Sequence, residues 1–364
     1  MRVLRDNPTS LLFGLACAVI VILGMRYAAV ILNPIFVALF VVMGLSPVLD
    51  WMRRKGVPAW LTITIVLVGF LAIAGAFTAV MISYVGQLDA RLAVYQDNLS
   101  RIFSDIEAWF AGHGVDSSGF VSNILTPEKI MGYISSLLGS VLDALSNIFL
   151  MIMVVVFMLS QVYSFPRKTY TRLKLSKRFE ESFRKFGEVT RSYLFTKGWL
   201  AAIAAVISTA VYYAFGVDFA LLWGMVFFIL SFIPNLGFII SVIPPFAVTL
   251  LEAGFTRAAV LVAVIVALNA IVDNMIAPRF MGRSVGLTTL AVFLSLVFWA
   301  WVLGPVGALI SIPLTLMINL LFLESYESTR SLSLFLTGGG GTGVPRERKA
   351  PRERKRWVRK KKAG

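Results

Sequence analysis

The sequence predicts an all-α polytopic membrane protein. It reads as about six full transmembrane helices plus two Gly/Pro-broken re-entrant hairpins, up to eight hydrophobic segments, with a small helical extracytoplasmic insertion. Three observations predict this. Of 364 residues, 58% are hydrophobic and only 15% are charged, where soluble domains carry about a quarter charged residues. The mean hydropathy is +0.82. Charge-free runs close to the ~20 residues that span a hydrocarbon core recur along the chain. They do not alternate as the ~10-residue strands of a membrane β-barrel would.

The segments follow in order. Leu11 to Met25 is the first span. It is built like a signal-peptide core, but apolar chain resumes after Arg26-Tyr27, so it reads as an uncleaved anchor. Ala28 to Leu45 is the second span, followed by a short loop with Arg53, Arg54 and Lys55. Ala59 to Tyr84 is the third, completing an N-terminal unit at 1–84. Residues 85–147 are acidic and amphipathic. Leu88, Leu92, Tyr95, Leu99, Ile102, Ile106 and Trp109 recur in alternating steps of four and three, a short heptad seam. The seam packs either on its own chain or between protomers. Residues 148–163 hold the fourth span, and 164–197 form a basic loop.

The 198–325 region is a transport core with broken helices, beginning with a fifth span at Trp199 to Phe215. The 326–364 tail has a Gly-rich linker at Gly338 to Gly343 and, beyond Thr337, eleven basic residues against Glu347 and Glu353. It is either a solvated end that helps fix topology or a contact for anionic lipid or nucleic acid.

Charge sets the orientation. Lys and Arg accumulate in cytoplasmic loops. The N-terminus, the 53–55 loop, the 164–197 loop and the tail therefore go inside, and 85–147 goes outside. Both termini are then cytoplasmic. Cys17 is the single cysteine; it forms no internal disulfide and reads as a packing residue. His113 is the single histidine, so no histidine-based metal site is expected, and the sequence calls for no cofactor. No P-loop or His-Glu-x-x-His motif is present, which argues against ATP-driven transport by this chain alone and against zinc proteolysis.

Two segments have anomalous lengths. Phe219 to Leu251 is too long for one crossing, at about 50 Å of helix, and too short for two. Pro234, Asn235 and Gly237 supply a turn, with Pro244 beyond it. Gly286 to Leu323 repeats the problem, broken at Gly304, Pro305 and Gly307, with Pro313 beyond. The two also echo each other: "GFIISVIP" (Gly237 to Pro244) beside "GALISIP" (Gly307 to Pro313). Paired hairpins make Ala258 to Ala277 a sixth crossing and keep Arg279 and Arg283 inside. The hairpins then enter from opposite sides, the inverted plan of many secondary transporters. Irregular backbone survives at membrane depth where protein or a wet cavity surrounds it. The alternative is a kink that only shapes packing.

"ALNAIVDNMIAPRFMG" places Asn269 and Asp273 on one helical face, with Asn274 adjacent. A carboxylate at a helix centre costs about 2.5–3.5 kcal/mol to insert, so an intramembrane Asp suggests a proton, cation or solute site. The plainer role is a cap on broken backbone or a partner for an arginine.

These residues carry a resemblance. "GVDFALLWGMVFFILSFIPNLGFIISVIPP", "IVDNMIAPRFMG" and "GPVGALISIP", in that order, resemble the autoinducer-2 exporter family of bacterial inner-membrane proteins, over most of residues 10 to 325. The elements are Pro-x-x-Gly (Pro234, Gly237), Asp-Asn-x-x-x-Pro (Asp273, Asn274, Pro278) and Gly-Pro-x-Gly (Gly304, Pro305, Gly307). The basic tail is not part of the pattern. The resemblance implies a multi-pass inner-membrane transporter that assembles as a homo-oligomer, with a pentamer known in the family. It implies export of autoinducer-2 or Na⁺(Li⁺)/H⁺ antiport, the latter involving Pro-x-x-Gly. Thr196-Lys197-Gly198, read as a loop before the fifth span, departs from the Gly-Gln pair expected in many members.

Three readings follow: a secondary transporter exporting a small polar solute, a monovalent cation/proton antiporter, and a non-transporting membrane scaffold. An enzyme is the remotest reading.

Overall fold

The computed structural model describes residues 8–112, 148–164, 177–234, 236–276, 286–324 and 330–337, with isolated helical positions at 132, 136 and 139. Expectations about His113, Asn235, Pro278, Arg279, Arg283, most of 113–147, residues 165–176 and the tail past 337 fall outside the described residues. All the regular elements described are helices. They are α1 Pro8–Tyr27, α2 Ala29–Arg54, α3 Ala59–Gly112, α4 Ile148–Ser164, α5 Lys177–Ala214, α6 Ala220–Leu230, α7 Leu236–Ile271, α8 Thr289–Leu309, α9 Ser311–Ile318 and α10 Arg330–Thr337. Single π-turns follow α7 (Val272–Ile276) and α9 (Asn319–Leu323).

Among the described residues, five helices are long and apolar enough to cross a membrane: Ala29–Arg54, Ala59–Tyr84, Phe179–Ala214, Leu236–Ile276 and Thr289–Leu309. Leu12–Tyr27, Ala220–Leu230 and Ser311–Leu323 are shorter apolar helices. The polarity is that of a protein dissolved in lipid. Large apolar side chains such as Phe13, Val30, Ile73, Val206 and Phe255 face outward, while Ser241, Thr190, Ser311 and Asn319 are buried. Water would favour the reverse; hydrocarbon tolerates apolar side chains outside and demands partners for polar ones inside.

The helices differ from expectation in three places. The third span keeps its bounds at Ala59–Tyr84, but its helix does not end there. No proline occurs between Pro58 and Pro127, and α3 continues unbroken to Gly112, about 40 Å beyond Tyr84 at 1.5 Å per residue. Of its heptad seam, Tyr95 is the residue whose side chain is described, and it is buried. Second, residues 177–197 are not a loop: they form the first half of α5, continuous with the fifth span, so Thr196-Lys197-Gly198 is helical. Third, α2 runs through Pro34 and Pro47 to Arg54.

The helix α5 organises the core. Its N-terminal half, through Phe186, Val189 and Tyr193, packs on α8, α9 and the second π-turn. Its C-terminal half, through Leu200, Ala204, Ala205 and Tyr212, packs on α6 and α7. α2 joins the first group through Phe40 and meets α3 and α4 in a third cluster around Leu49, Val66 and Val155.

Candidate functional site

Both broken segments double back on themselves. In the first, α6 runs to Leu230, the chain turns through 231–234, and α7 returns. Phe227 and Phe238 meet edge-to-face at 6.2 Å across the turn. A Cβ at Gly237 would overlap the Leu230 carbonyl, so only glycine lets the arms close this far. In the second, Gly304 (φ 70, ψ −155) breaks α8. That φ is costly for residues with a Cβ, and Pro305 removes a donor at the same place. The returning arm brings Gly307 against the Trp299 carbonyl, where a Cβ would again overlap backbone.

The repeat in the sequence coincides with this geometry. Gly237 and Gly307 are the aligned glycines, and each lies under a carbonyl of the outgoing arm. The serine four residues on is buried in both arms, and each donates to the carbonyl three residues back: Ser241 Oγ to Phe238 O at 2.7 Å, Ser311 Oγ to Ala308 O at 2.9 Å.

The open ends of the first hairpin meet at one side chain. Tyr95 Oη lies 3.1 Å from Asp218 Oδ2 and 3.1 Å from Glu252 Oε1. The Arg91 guanidinium pairs with Asp218 and lies 3.7 Å from Glu252, and the Trp223 indole donates to the Asp218 carbonyl at 3.0 Å. Burial pushes the Tyr95 hydroxyl well above its ordinary range, and the Glu252 charge adds to the shift. Gly254 (φ 81) then redirects α7. The tip reaches the other way along α5, where Phe232 is the side chain closest to a Cβ at Gly198, 3.9 Å away. From Gly198 to Ala214, where α5 ends four residues before Asp218, is about 24 Å along the helix, so the hairpin reaches through most of a ~30 Å hydrocarbon core.

The second hairpin has the opposite sense. Its base is fixed at the N-terminal end of α5 by Lys185 Nζ and the Glu324 carboxylate, at 2.7 and 3.0 Å. Nearby, Arg191 pairs with Asp50 of α2 at 2.6 Å. The tip lies near the start of α2, where Asn33 Nδ2 donates to the Leu303 carbonyl at 3.1 Å. That carbonyl immediately precedes the Gly304 break. The Arg26 guanidinium sits 4.9 Å over the Trp301 ring beside it. Asp50 and Asn33 are again about 26 Å apart along α2.

Between the arms of this hairpin runs a polar seam. Ser311, Thr315 and Asn319 occupy i, i+4 and i+8 of the returning arm and are all buried. Trp299 Nε1 donates to Thr315 Oγ1 at 3.0 Å, and Thr315 donates to Ser295 Oγ at 2.7 Å. Asn319, at the start of the π-turn, has no partner for either side-chain polar atom.

The predicted acidic site lies elsewhere. Asn269 Nδ2 donates to Asp273 Oδ2 at 3.0 Å, as the four-residue spacing requires. Asp273 and Asn274 are exposed on the first π-turn. That turn packs through Val272 and Ile276 on Leu200, Phe227 and Phe238, so Asp273 accompanies the first hairpin. Its charge acts on half-buried Lys197 of α5. Its hydrogen-bond partner is thus an asparagine. Pro234 is half-buried in the turn, Pro305 is exposed at the second tip, and Pro244 and Pro313 are buried in the returning arms. The two hairpins gather on opposite halves of α5, and Asp273 joins only one of them. Sequence reasoning missed Asn33, Thr190, Asn319 and the Arg91–Tyr95–Asp218–Glu252 cluster. Among the described residues no group of His, Cys, Asp and Glu could hold a metal ion.

Comparison with known proteins points to one family of transport proteins. Residues 15–327 match the family described as "AI-2E family transporter". The AI-2 transport protein TqsA of Escherichia coli K12 is 32% identical over 332 residues, covering 91% of this chain and 96% of that protein. The putative transport protein YhhT of the same strain is 30% identical over 339 residues, covering 93% and 96%. A putative transport protein of Haemophilus influenzae is 31% identical over 333 residues, covering 89% and 95%.

Proposed function

The chain belongs to the AI-2E transporter family, and from that premise we propose that it is a secondary transporter exporting a small polar solute such as autoinducer-2. It is a multi-pass inner-membrane transport protein and not an enzyme. The export reading rests on one observation above others: two deep hairpins of opposite sense, closed by glycines under carbonyls, on one shared helix. Such pairs carry irregular backbone and half-helix ends into the membrane, where a polar solute finds partners. The buried seam Ser295–Thr315–Trp299 supports the same reading, because polar side chains in hydrocarbon are retained where they have work to do. The protein with the AI-2 transport name supplies the solute class.

In this reading both termini are cytoplasmic, the far half of α3 is extracytoplasmic, and both hairpins are re-entrant. The protomers form a homo-oligomer, a pentamer by the family resemblance, and the basic tail touches anionic lipid. A second reading, monovalent cation/proton antiport, is favoured by the Asn269–Asp273 pair with Lys197 nearby. The test is accumulation of autoinducer-2 by energised inside-out vesicles. Vesicles that take up none, yet move protons against an imposed Na⁺ gradient, would remove the export reading in favour of antiport.

A further inference from the structure

Thr190 and Asn319 are each fully buried, and the Thr190 hydroxyl and both polar atoms of the Asn319 amide lack partners. Buried polar groups without partners are rare and costly in native proteins. These two belong together. Lys185 of α5 pairs with Glu324, and further along α5 Tyr193 shares a cluster with Ile312 and Leu316. The two elements therefore run antiparallel. Five residues inward from each member of the Lys185–Glu324 pair stand Thr190 and Asn319, on facing elements. The rest of the seam is closed: Ser311 bonds Ala308 O, and Thr315 bonds Ser295 and Trp299. Only its last member is open, and it begins a π-turn, an irregularity that recurs at functional sites.

We infer that Thr190 and Asn319 form a binding site for a small neutral solute bearing hydroxyl or carbonyl groups; this deepens, and rests on, the transport reading. The orphan groups select the chemistry. A bare cation would satisfy Asn319 Oδ1 and leave Nδ2 facing a positive charge. An anion would do the reverse. A hydroxyl donates and accepts, and so serves both atoms of the amide together with the Thr190 hydroxyl. The site lies about 7 Å along the helix from the partly exposed Lys185–Glu324 pair at the base of the second hairpin. In the orientation proposed above this is the cytoplasmic side, where an exporter loads.

Cys17 is the single cysteine, so a Cys17→Ser background isolates new thiols. Thr190→Cys and Asn319→Cys in that background are labelled in vesicles with a small hydrophilic methanethiosulfonate, with autoinducer-2 or glycerol as protectant. Labelling of both, slowed severalfold by either protectant, is expected. Absence of labelling means dry packing, and labelling that neither protectant slows means water alone fills the gap; either result overturns the site. Asn319→Leu, close in size, is expected to stay folded and monodisperse while autoinducer-2 uptake falls at least tenfold; full uptake would also overturn the site. Failure of the export reading shows differently: wild-type vesicles move no autoinducer-2 while glycerol still protects the thiols.

Discussion

Asp218 and Glu252, the residues bracketing the first hairpin, both lie 3.1 Å from the Tyr95 hydroxyl. A hydroxyl has one proton, so the two carboxylates compete for it, and Arg91 offsets their charge. The segment between them therefore begins and ends at the same place, held there by a helix that sequence reasoning assigned to a separate unit.

Tyr95→Phe opens this closure. Two carboxylates lose a shared donor, at a cost of about 1–3 kcal/mol, read as a lower melting temperature in detergent. The pH dependence follows from the raised Tyr95 pKa. A hydroxyl that holds its proton more tightly when folded contributes stability that is complete below its unfolded value near pH ~10. That contribution fades as pH rises above it. The wild type is expected to lose this increment in alkali, and Tyr95→Phe to lack it; identical alkaline melting curves would refute the assignment.

Gly237→Ala and Gly307→Ala should each pry a hairpin apart, because the added methyl meets a backbone carbonyl that cannot swing away. Overpacking typically costs about 1–3 kcal/mol, and uptake should fall with it. Gly75→Ala is the control. Nothing lies within 4 Å of its Cβ, and mid-helix alanine gains up to about 1 kcal/mol over glycine. Equal stability among the three variants would contradict the close-approach geometry.

Asn33→Leu removes the donor that meets the Leu303 carbonyl. An orphaned buried acceptor costs about 1–3 kcal/mol. The expected outcome is reduced thermal stability and slower uptake. Trp301 fluorescence offers no separate signal among the chain's 8 tryptophans, so hydrogen exchange around 299–307 is the measurement. Unchanged protection there would show that Asn33 is dispensable at the break.

Asp273→Asn preserves shape and the Asn269 contact while removing charge. It should fold normally and lose ion-coupled flux in proteoliposomes. Lys197→Gln should alter the same flux by removing the neighbouring charge. Normal coupled flux in both variants would exclude this pair from the mechanism.

The hairpins were legible because lipid makes backbone interruption expensive. Prolines and glycines inside anomalous lengths marked the two breaks, and the Gly-x-x-Ile-Ser echo marked the two residues under the carbonyls. The polar partners were not legible. Asn33 met Leu303 across 270 positions, and Tyr95 met Glu252 across 157. No local spacing encodes such distances. Asn319 did leave a trace, the four-residue rhythm of Ser311, Thr315 and Asn319, which is easily passed over inside an apolar run. Continuity was misread for α3 and α5 because a change in composition suggests a boundary, whereas helices stop for capping or proline, and neither intervenes at Tyr84 or Lys197.

α5 has 38 residues and no proline, so it behaves as a stiff strut some 57 Å long. One hairpin leans on each half of it. A rigid rod displaced along its axis carries both ends the same way, so a slide of this helix moves the seats of both hairpins together.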